Sequence, residues 1–141
     1  VLFRSRTQVP PIVKGAAKMM VARVDADGND VGGVPVVLRD APLGTYLGWN
    51  VVADGFHKGK LCNYAGGMIP FAATKAERMA KGDPRLSLEE RYKDHDGYVA
   101  AVRAAAAKAV AEKFLLRNDA DKLIAQAAAS DVLRAASVNS R

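Results

Sequence analysis

The sequence predicts an α+β fold, in which an N-terminal β-hairpin and a long Gly/Pro-rich loop region precede a C-terminal bundle of three to four helices. Three observations predict this fold. Two short apolar runs flank the turn-forming residues A-D-G-N-D at 26–30. Glycine and proline then recur up to residue 71 without a helical or alternating period. From residue 72 the chain is rich in alanine and carries repeated helix-start signals.

The two ends of the chain are predicted to lie outside this fold. Val1–Ser5 reads as the translation of a common sequencing-library adapter, so we expect residues 1–5 to be non-native and the natural protein to extend further upstream. Residues 6–18 are predicted to be an extended connector, because the pair Pro10-Pro11 disfavours helix. At the other end, residues 137–141 are predicted to be a tail.

Composition and charge exclude several classes of protein. The 141 residues suffice for one domain at most. The net charge of +6 is divided evenly between the two parts of the chain, and no motif gathers it on one face, which argues against nucleic-acid binding. Since no apolar run approaches the roughly 20 residues of a membrane span, we expect no membrane segment. Cys62 is the only cysteine, which excludes an internal disulfide. Nothing in the sequence indicates a compartment.

The hairpin is the first predicted element of the segment 19–71, which we interpret as a β-hairpin followed by loops. Its strands are expected in Met19–Asp25 and Val31–Leu38, and its turn is expected to hold Gly28 at a positive φ. Pro35 places the second strand at a sheet edge, because proline cannot donate to a ladder. The oxygen-bearing residues at 25–30 lack the glycine and glutamate spacing of a calcium loop, so a plain turn is predicted.

The segment 41–50, A-P-L-G-T-Y-L-G-W-N, concentrates the most unusual chemistry of the chain and contains its only tryptophan. We interpret it as a rigid loop that presents side chains to a cavity, with glycines supplying conformational freedom. Four of its residues have polar groups and are the candidate binding residues: Thr45, Tyr46, Trp49 and Asn50.

The helical segment is expected over residues 72–136. Ala72–Lys81 is predicted to be a helix capped by Thr74, and a capping box begins at Ser87. Asp96 is the predicted cap of the longest helix, about 97–115, and a last helix or pair of helices runs over about 118–136. On the longest helix one apolar stripe is predicted to face the core, formed by Val99, Val102, Ala106, Val110 and Phe114.

Other polar residues have a structural interpretation that we prefer. His57 and Cys62 could form a base and a nucleophile, but no local signature supports that pair. The run Asp94-His95-Asp96 could hold a metal or an acid–base pair, although aspartate before a helix serves as a cap without any chemistry. We therefore assign no catalytic residue, no metal site and no cofactor from the sequence.

Five blocks in order give the chain a family resemblance: V-D-A-D-G-N-D-V-G-G (24–33), A-P-L-G-T-Y-L-G-W-N (41–50), I-P-F-A-A-T-K-A-E-R (69–78), G-D-P-R-L-S-L-E-E-R-Y (82–92) and F-L-L-R-N-D-A (114–120). Together they resemble the C-terminal part of a bacterial family of largely uncharacterised alpha/beta hydrolase domain proteins. The resemblance implies a parent protein with an α/β-hydrolase fold. It also implies that the nucleophilic serine, in a G-x-S-x-G-like elbow, and its histidine lie upstream.

No residue of a Ser-His-acid triad can be assigned in this chain, which contains no G-x-S-x-G. The resemblance implies a C-terminal, non-catalytic portion of a serine-type hydrolase of carboxylic esters. Its partner would be the upstream hydrolase core of the same protein, and the chain alone would be inactive. Thr45, Tyr46, Trp49 and Asn50 would then line the acyl or alcohol pocket, or the aromatic residues would only anchor the helices. The alternative function is a noncatalytic helical interaction module.

Overall fold

The computed structural model describes residues 2–4, 7–16, 20, 22–34, 36–62 and 66–134, and within them the chain has the predicted α+β fold. The described strands are β1 (Leu2–Arg4), β2 (Val13–Ala16), β3 (Gly44–Leu47), β4 (Asn50–Val51), β5 (Leu61–Cys62) and β6 (Gly67–Pro70). The described helices are α1 (Val37–Asp40), α2 (Lys75–Lys81), α3 (Leu88–Tyr92), α4 (His95–Ala111) and α5 (Arg117–Ala129).

The described strands form antiparallel pairs rather than one sheet. The strand β1, within the segment predicted to be non-native, pairs with β2, which lies in the predicted connector. The pairs β3–β6 and β4–β5 are nested, so that the described residues 44–62 and 66–70 make one long hairpin with its tip at 52–60. In the outer pair, β3–β6, the register runs from Gly44 opposite Pro70 to Leu47 opposite Gly67.

The predicted hairpin around Gly28 is present only as its turn. Gly28 has a φ of 81°, as expected, and the turn closes with a single bridge between Val24 and Asp30. None of the described residues of the two arms continues as a strand beyond this bridge, and Met19, Val21 and Pro35 lie outside the described residues. Residues 37–40 form the helix α1, so the prediction of a strand up to Leu38 is wrong. A short apolar run forms a stable strand only when a neighbouring strand pairs with it. No described strand lies beside residues 31–34.

The segment 41–50 was predicted to be a rigid loop, and this prediction is wrong, because the strand β3 occupies its centre. Its glycines are not needed for conformational freedom, since neither Gly44 nor Gly48 has a positive φ. Gly44 is needed for space. A Cβ at this position would lie 2.5 Å from the carbonyl oxygen of Ile69, which is backbone and cannot move aside.

The helix-start predictions are confirmed at two of three caps. Thr74 accepts a hydrogen bond from the Glu77 amide at 3.1 Å, and Ser87 forms a complete capping box with Glu90. The longest helix begins two residues earlier than predicted, because Asp94, and not Asp96, accepts from the Gly97 amide at 2.8 Å. Either aspartate satisfies the sequence pattern, and the contact between the Gly97 backbone and the end of α3 selects Asp94.

The core lies where α1, α3, α4 and α5 meet, and small side chains build it. Its centre consists of Ala41, Tyr92, Tyr98, Val102 and Ala127. The two tyrosine rings meet edge to face, with centroids 5.3 Å apart. Of the predicted stripe, Val102 and Ala106 are buried, whereas Phe114 is 55% exposed because α4 ends before it.

Candidate functional site

The four candidate binding residues lie on β3 and directly after it. Thr45 and Tyr46 are neighbours within the strand, opposite Ile69 and Met68 of β6, so their side chains point to opposite faces of the pair. Trp49 and Asn50 follow at the point where β3 gives way to β4. The strand geometry therefore divides the four side chains between different environments.

Thr45 is buried, and its hydroxyl both donates and accepts a hydrogen bond within the protein. The Oγ1 atom donates to the backbone carbonyl of Asp27 and accepts from Nη1 of Arg85 at 2.8 Å. A hydroxyl has one proton to donate, so Thr45 in this arrangement has none left for a ligand. Its observed role is to connect the 25–29 turn, β3 and the loop after α2.

Arg85 is the centre of a group that we name the arginine cluster: Asp27, Phe71, Asp83, Arg85 and Arg91. Arg85 pairs with Asp83 at 2.6 Å and donates to the carbonyl oxygens of Ile69 and Pro70, at 3.0 and 3.4 Å. Arg91 pairs with Asp27, and both guanidinium groups lie over the Phe71 ring. This cluster fastens β6 and the 25–29 turn to the helical segment.

The hydrogen bond between Asp83 and Arg85 favours the charged form of both side chains. Hydrogen bonding from Arg85 lowers the pKa of Asp83 from 3.8 to about 2, and the same bond raises the pKa of Arg85. Sequence reasoning missed this cluster, although G-D-P-R at 82–85 belongs to one of the blocks that carry the family resemblance. The available signal was the choice of arginine at position 85, directly after a proline and outside any helix. A purely solvent-exposed position would accept lysine equally well, whereas only arginine offers a planar set of donors for several acceptors.

Asn29 is the second residue that the sequence did not identify. It is 2% exposed, its amide nitrogen donates to the Gly44 carbonyl at 3.2 Å, and its amide oxygen accepts from the Tyr46 backbone at 2.7 Å. The side chain thus pairs with β3 as a neighbouring strand would. Asp25 accepts from the amides of Asp27 and Asn29, as expected of a plain turn, and no cluster able to hold a metal is found among the described residues.

Tyr46 and the pair Trp49 and Asn50 remain open to a ligand to different degrees. Tyr46 is half-buried and lines a cleft of about 290 Å³ with Asn29, Val36 and Arg39 among other residues. Trp49 is 48% exposed, and Asn50 is exposed with its side-chain oxygen accepting from the Val51 amide. The structure therefore does not bring the four candidates together around one described cavity.

A larger cavity, of about 380 Å³, lies between α1, α4 and α5, and we name it the apolar slot. Its walls include Leu38 of α1, Val102 and Ala109 of α4, and Ala127 of α5. None of the residues that line it is charged. Its volume lies within the range of small-molecule sites, about 300–1,000 Å³.

The described serine, cysteine and histidine side chains do not form a nucleophile–base pair. Ser87 is fully buried and bonded to Glu90, and the Ser130 hydroxyl donates to the Ala127 carbonyl. His95 faces the carbonyl oxygens of Val132 and Ala128, at 2.8 and 3.2 Å. His57 lies in the exposed tip 52–60, where its ring meets Phe56 edge to face.

Comparison with known proteins gives one family. A model of the family described as alpha/beta hydrolase domain matches residues 5–125, which is most of the chain. The matched region includes the segment 41–50 and the whole arginine cluster. No curated protein and no solved structure matches the chain. Among the described residues, no helix is long and apolar enough to cross a membrane.

Proposed function

The chain belongs to the alpha/beta hydrolase domain family, and from this premise we propose that it is the C-terminal, non-catalytic portion of a serine-type hydrolase of carboxylic esters. In the complete enzyme an upstream serine oxygen attacks the ester carbonyl carbon and the alcohol leaves, after which water releases the acid from the acyl-enzyme. The present chain contributes a pocket wall, from 41–50, and a helical cover, from 72–134.

The observation that carries this proposal is the exposure of apolar side chains on both faces of the long hairpin. Trp49, Met68 and Ile69 are each close to half exposed, although they lie on or next to the paired strands β3 and β6. A two-stranded pair is marginal by itself and gains stability from further strands or a covering layer. Exposed apolar side chains on both faces fit a hairpin that completes a larger, covered sheet, as the upstream hydrolase core would provide.

Within this proposal the four candidate residues divide their roles. Thr45 holds the wall in place through Arg85 and Asp27, because its hydroxyl already has both partners. Trp49 offers an exposed apolar ring to the acyl or alcohol group of the ester, and Asn50 offers an amide group that can orient it. The side chain of Tyr46 lies on the face of the β3–β6 pair opposite to that of Thr45, and its hydroxyl accepts a hydrogen bond from the Leu43 amide.

The test of the pocket wall is Trp49→Ala in the complete protein. We expect kcat/KM for an ester substrate to fall about tenfold, the equivalent of roughly 1.4 kcal/mol, with little change in Tm. The matched control is Phe56→Ala, since Phe56 is an aromatic residue of the same hairpin and is 97% exposed. A lower Tm with unchanged kcat/KM in Trp49→Ala would show an anchoring residue and remove the pocket role.

The apolar slot favours a second candidate function, a noncatalytic helical interaction module. Its walls come from α1, α4 and α5, the elements that such a module would present to a partner. The gene upstream of Arg6 separates the two functions. A G-x-S-x-G motif within a few hundred codons supports the hydrolase, and a start codon close to Arg6 supports the module.

A further inference from the structure

We propose that the returning arm of the long hairpin, formed by β5 and β6, pairs with a strand from the part of the protein upstream of Arg6. The proposal rests on the proposed function, which supplies an upstream hydrolase core, and goes beyond it by assigning the edge at which the two parts join. In the complete sheet β6 then lies inside, and β3, in the forward arm with β4, is the border strand.

The first observation comes from the β3–β6 pair. Residues of an antiparallel pair alternate between those that bond across it and those whose N–H and C=O groups point outward. The Phe71 amide donates to the Leu43 carbonyl at 3.0 Å, so the alternation directs the backbone groups of Tyr46 and Met68 outward. The Tyr46 amide donates to Oδ1 of Asn29 at 2.7 Å. No described residue bonds the backbone groups of Met68, on the other arm.

The β4–β5 pair repeats this difference between the arms. The Val52 amide donates to the Lys60 carbonyl at 3.0 Å, so Val51 and Leu61, the next pair, direct their backbone groups outward. The Val51 amide donates to Oδ1 of Asn50 at 2.8 Å. The backbone groups of Leu61 have no bond to any residue that the structure describes. The forward arm is thus occupied by asparagine side chains at both positions, and the returning arm is open at both.

A β-strand is the partner that satisfies the open groups of the returning arm. One residue of a neighbouring strand bonds an outward N–H and C=O together, and an exposed edge invites such pairing. Leu61 is 55% exposed, and Met68 and Ile69 are each 49% exposed. As neighbours in β6, Met68 and Ile69 lie on opposite faces. Apolar side chains on both faces are typical of a strand inside a covered sheet.

The strand β3 has the features of a border strand. Asn29, which is 2% exposed, also donates to the Gly44 carbonyl at 3.2 Å, so an added strand would have to displace a buried side chain. Covering an edge with a loop is one way in which proteins prevent further pairing. On the returning arm, Pro70 has no N–H group, so pairing with the added strand ends before it.

The experiment compares amide hydrogen exchange at single residues in the 141-residue chain and in the protein encoded by the full open reading frame. We expect the Leu61 and Met68 amides to exchange at least about 100-fold more slowly in the complete protein. The Tyr46 and Val51 amides are the controls, because side chains already bond them, and should slow by a much smaller factor. Equal slowing on both arms, or no slowing at Leu61 and Met68, overturns the proposal.

A pair of proline variants tests the same edge by removing one outward N–H from each arm. Leu61→Pro should lower the Tm of the complete protein by at least about 5 °C more than Val51→Pro does, because only the Leu61 amide bonds the added strand. In the 141-residue chain the two shifts should differ by less than about 2 °C. An equal shift in the complete protein contradicts the assignment. If both variants fail to fold, the exchange rates of the unsubstituted proteins decide.

The remaining outcomes separate this proposal from the proposed function. Slow exchange at Met68 in the chain alone that increases with its concentration would assign the edge to a second copy and overturn the proposal, as would a start codon close to Arg6. An active esterase with fast exchange at Leu61 and Met68 would overturn the edge assignment and leave the proposed function standing. Slow exchange at both amides in an inactive complete protein would support the added strand and remove ester hydrolysis.

Discussion

The long hairpin and the helical segment of this chain are held in place by contacts of different range. Three helices begin at a residue whose own side chain caps them: Thr74, Ser87 and Asp94. By contrast, β3 is held by Asn29, which contacts Gly44 from 15 residues away, and by Arg85, which reaches Thr45 from 40 residues away. The starts of these helices are thus specified locally, while the hairpin depends on distant partners.

The largest effect is expected where the hairpin strands approach most closely. Gly44→Ala should destabilise the protein by about 3 kcal/mol, because its Cβ would collide with the Ile69 carbonyl and the Pro70 Cα. Gly48→Ala is the control, since nothing lies within 4 Å of the added Cβ. Urea unfolding of both variants measures the difference, and equal midpoints would contradict the close packing of β3 against β6.

A smaller effect is expected from the turn that pairs with β3. Asn29→Ala removes a buried side chain that bonds the Gly44 carbonyl and the Tyr46 amide, so we expect a loss of about 2 kcal/mol. Asn50→Ala, at an exposed position, should change the unfolding free energy by less than about 0.5 kcal/mol. A similar loss in both variants would mean that Asn29 does not fasten the turn to β3.

Within the helical segment, removal of a cap should cost less and act locally. Ser87→Ala breaks the capping box of α3, and we expect a loss of about 1.5 kcal/mol. Thr74→Ala, at an exposed cap of α2, should cost about 0.5–1 kcal/mol. Amide hydrogen exchange should show faster exchange in α3 alone for Ser87→Ala. Faster exchange in residues 44–70 as well would contradict the local character of the helical segment.

The smallest effect is expected from acid. Hydrogen bonding from Arg78 lowers the pKa of Glu90 from 4.5 to about 2. Because the folded state binds the proton less readily, the stabilisation is present above pH 4.5 and is lost as the pH falls toward 2. Tm should therefore be flat from pH 7 to 5 and decrease between pH 4.5 and 2. Arg78→Gln should reduce this decrease, and an unchanged profile would exclude the pair as its source.

What the sequence could predict follows the same division between local and distant contacts. Thr74 and Ser87 were predictable as caps because each partner lies three residues away. The α+β class followed from turn residues and alanine content. Asp94 and Asp96 both satisfy the cap pattern, so the choice between them needed the packing of α3 against α4.

The roles of Asn29, Thr45 and Arg85 could not be predicted, because a single sequence does not show which distant residues meet. The same reason explains the wrong strand prediction at 37–38, where an apolar run forms α1 and packs toward α4 instead of pairing with a strand. The loop prediction for the segment 41–50 was wrong because its conformation as β3 depends on β6, whose paired residues lie 20 to 26 positions further along the chain.

The most direct test of the proposed role is an ester-hydrolysis assay on three proteins: this chain alone, the protein encoded by the full open reading frame, and the latter with its upstream G-x-S-x-G serine replaced by alanine. We expect turnover of a p-nitrophenyl ester by the complete protein only. Turnover by the purified chain alone, at a rate above buffer, would contradict the proposal that its catalytic serine lies elsewhere.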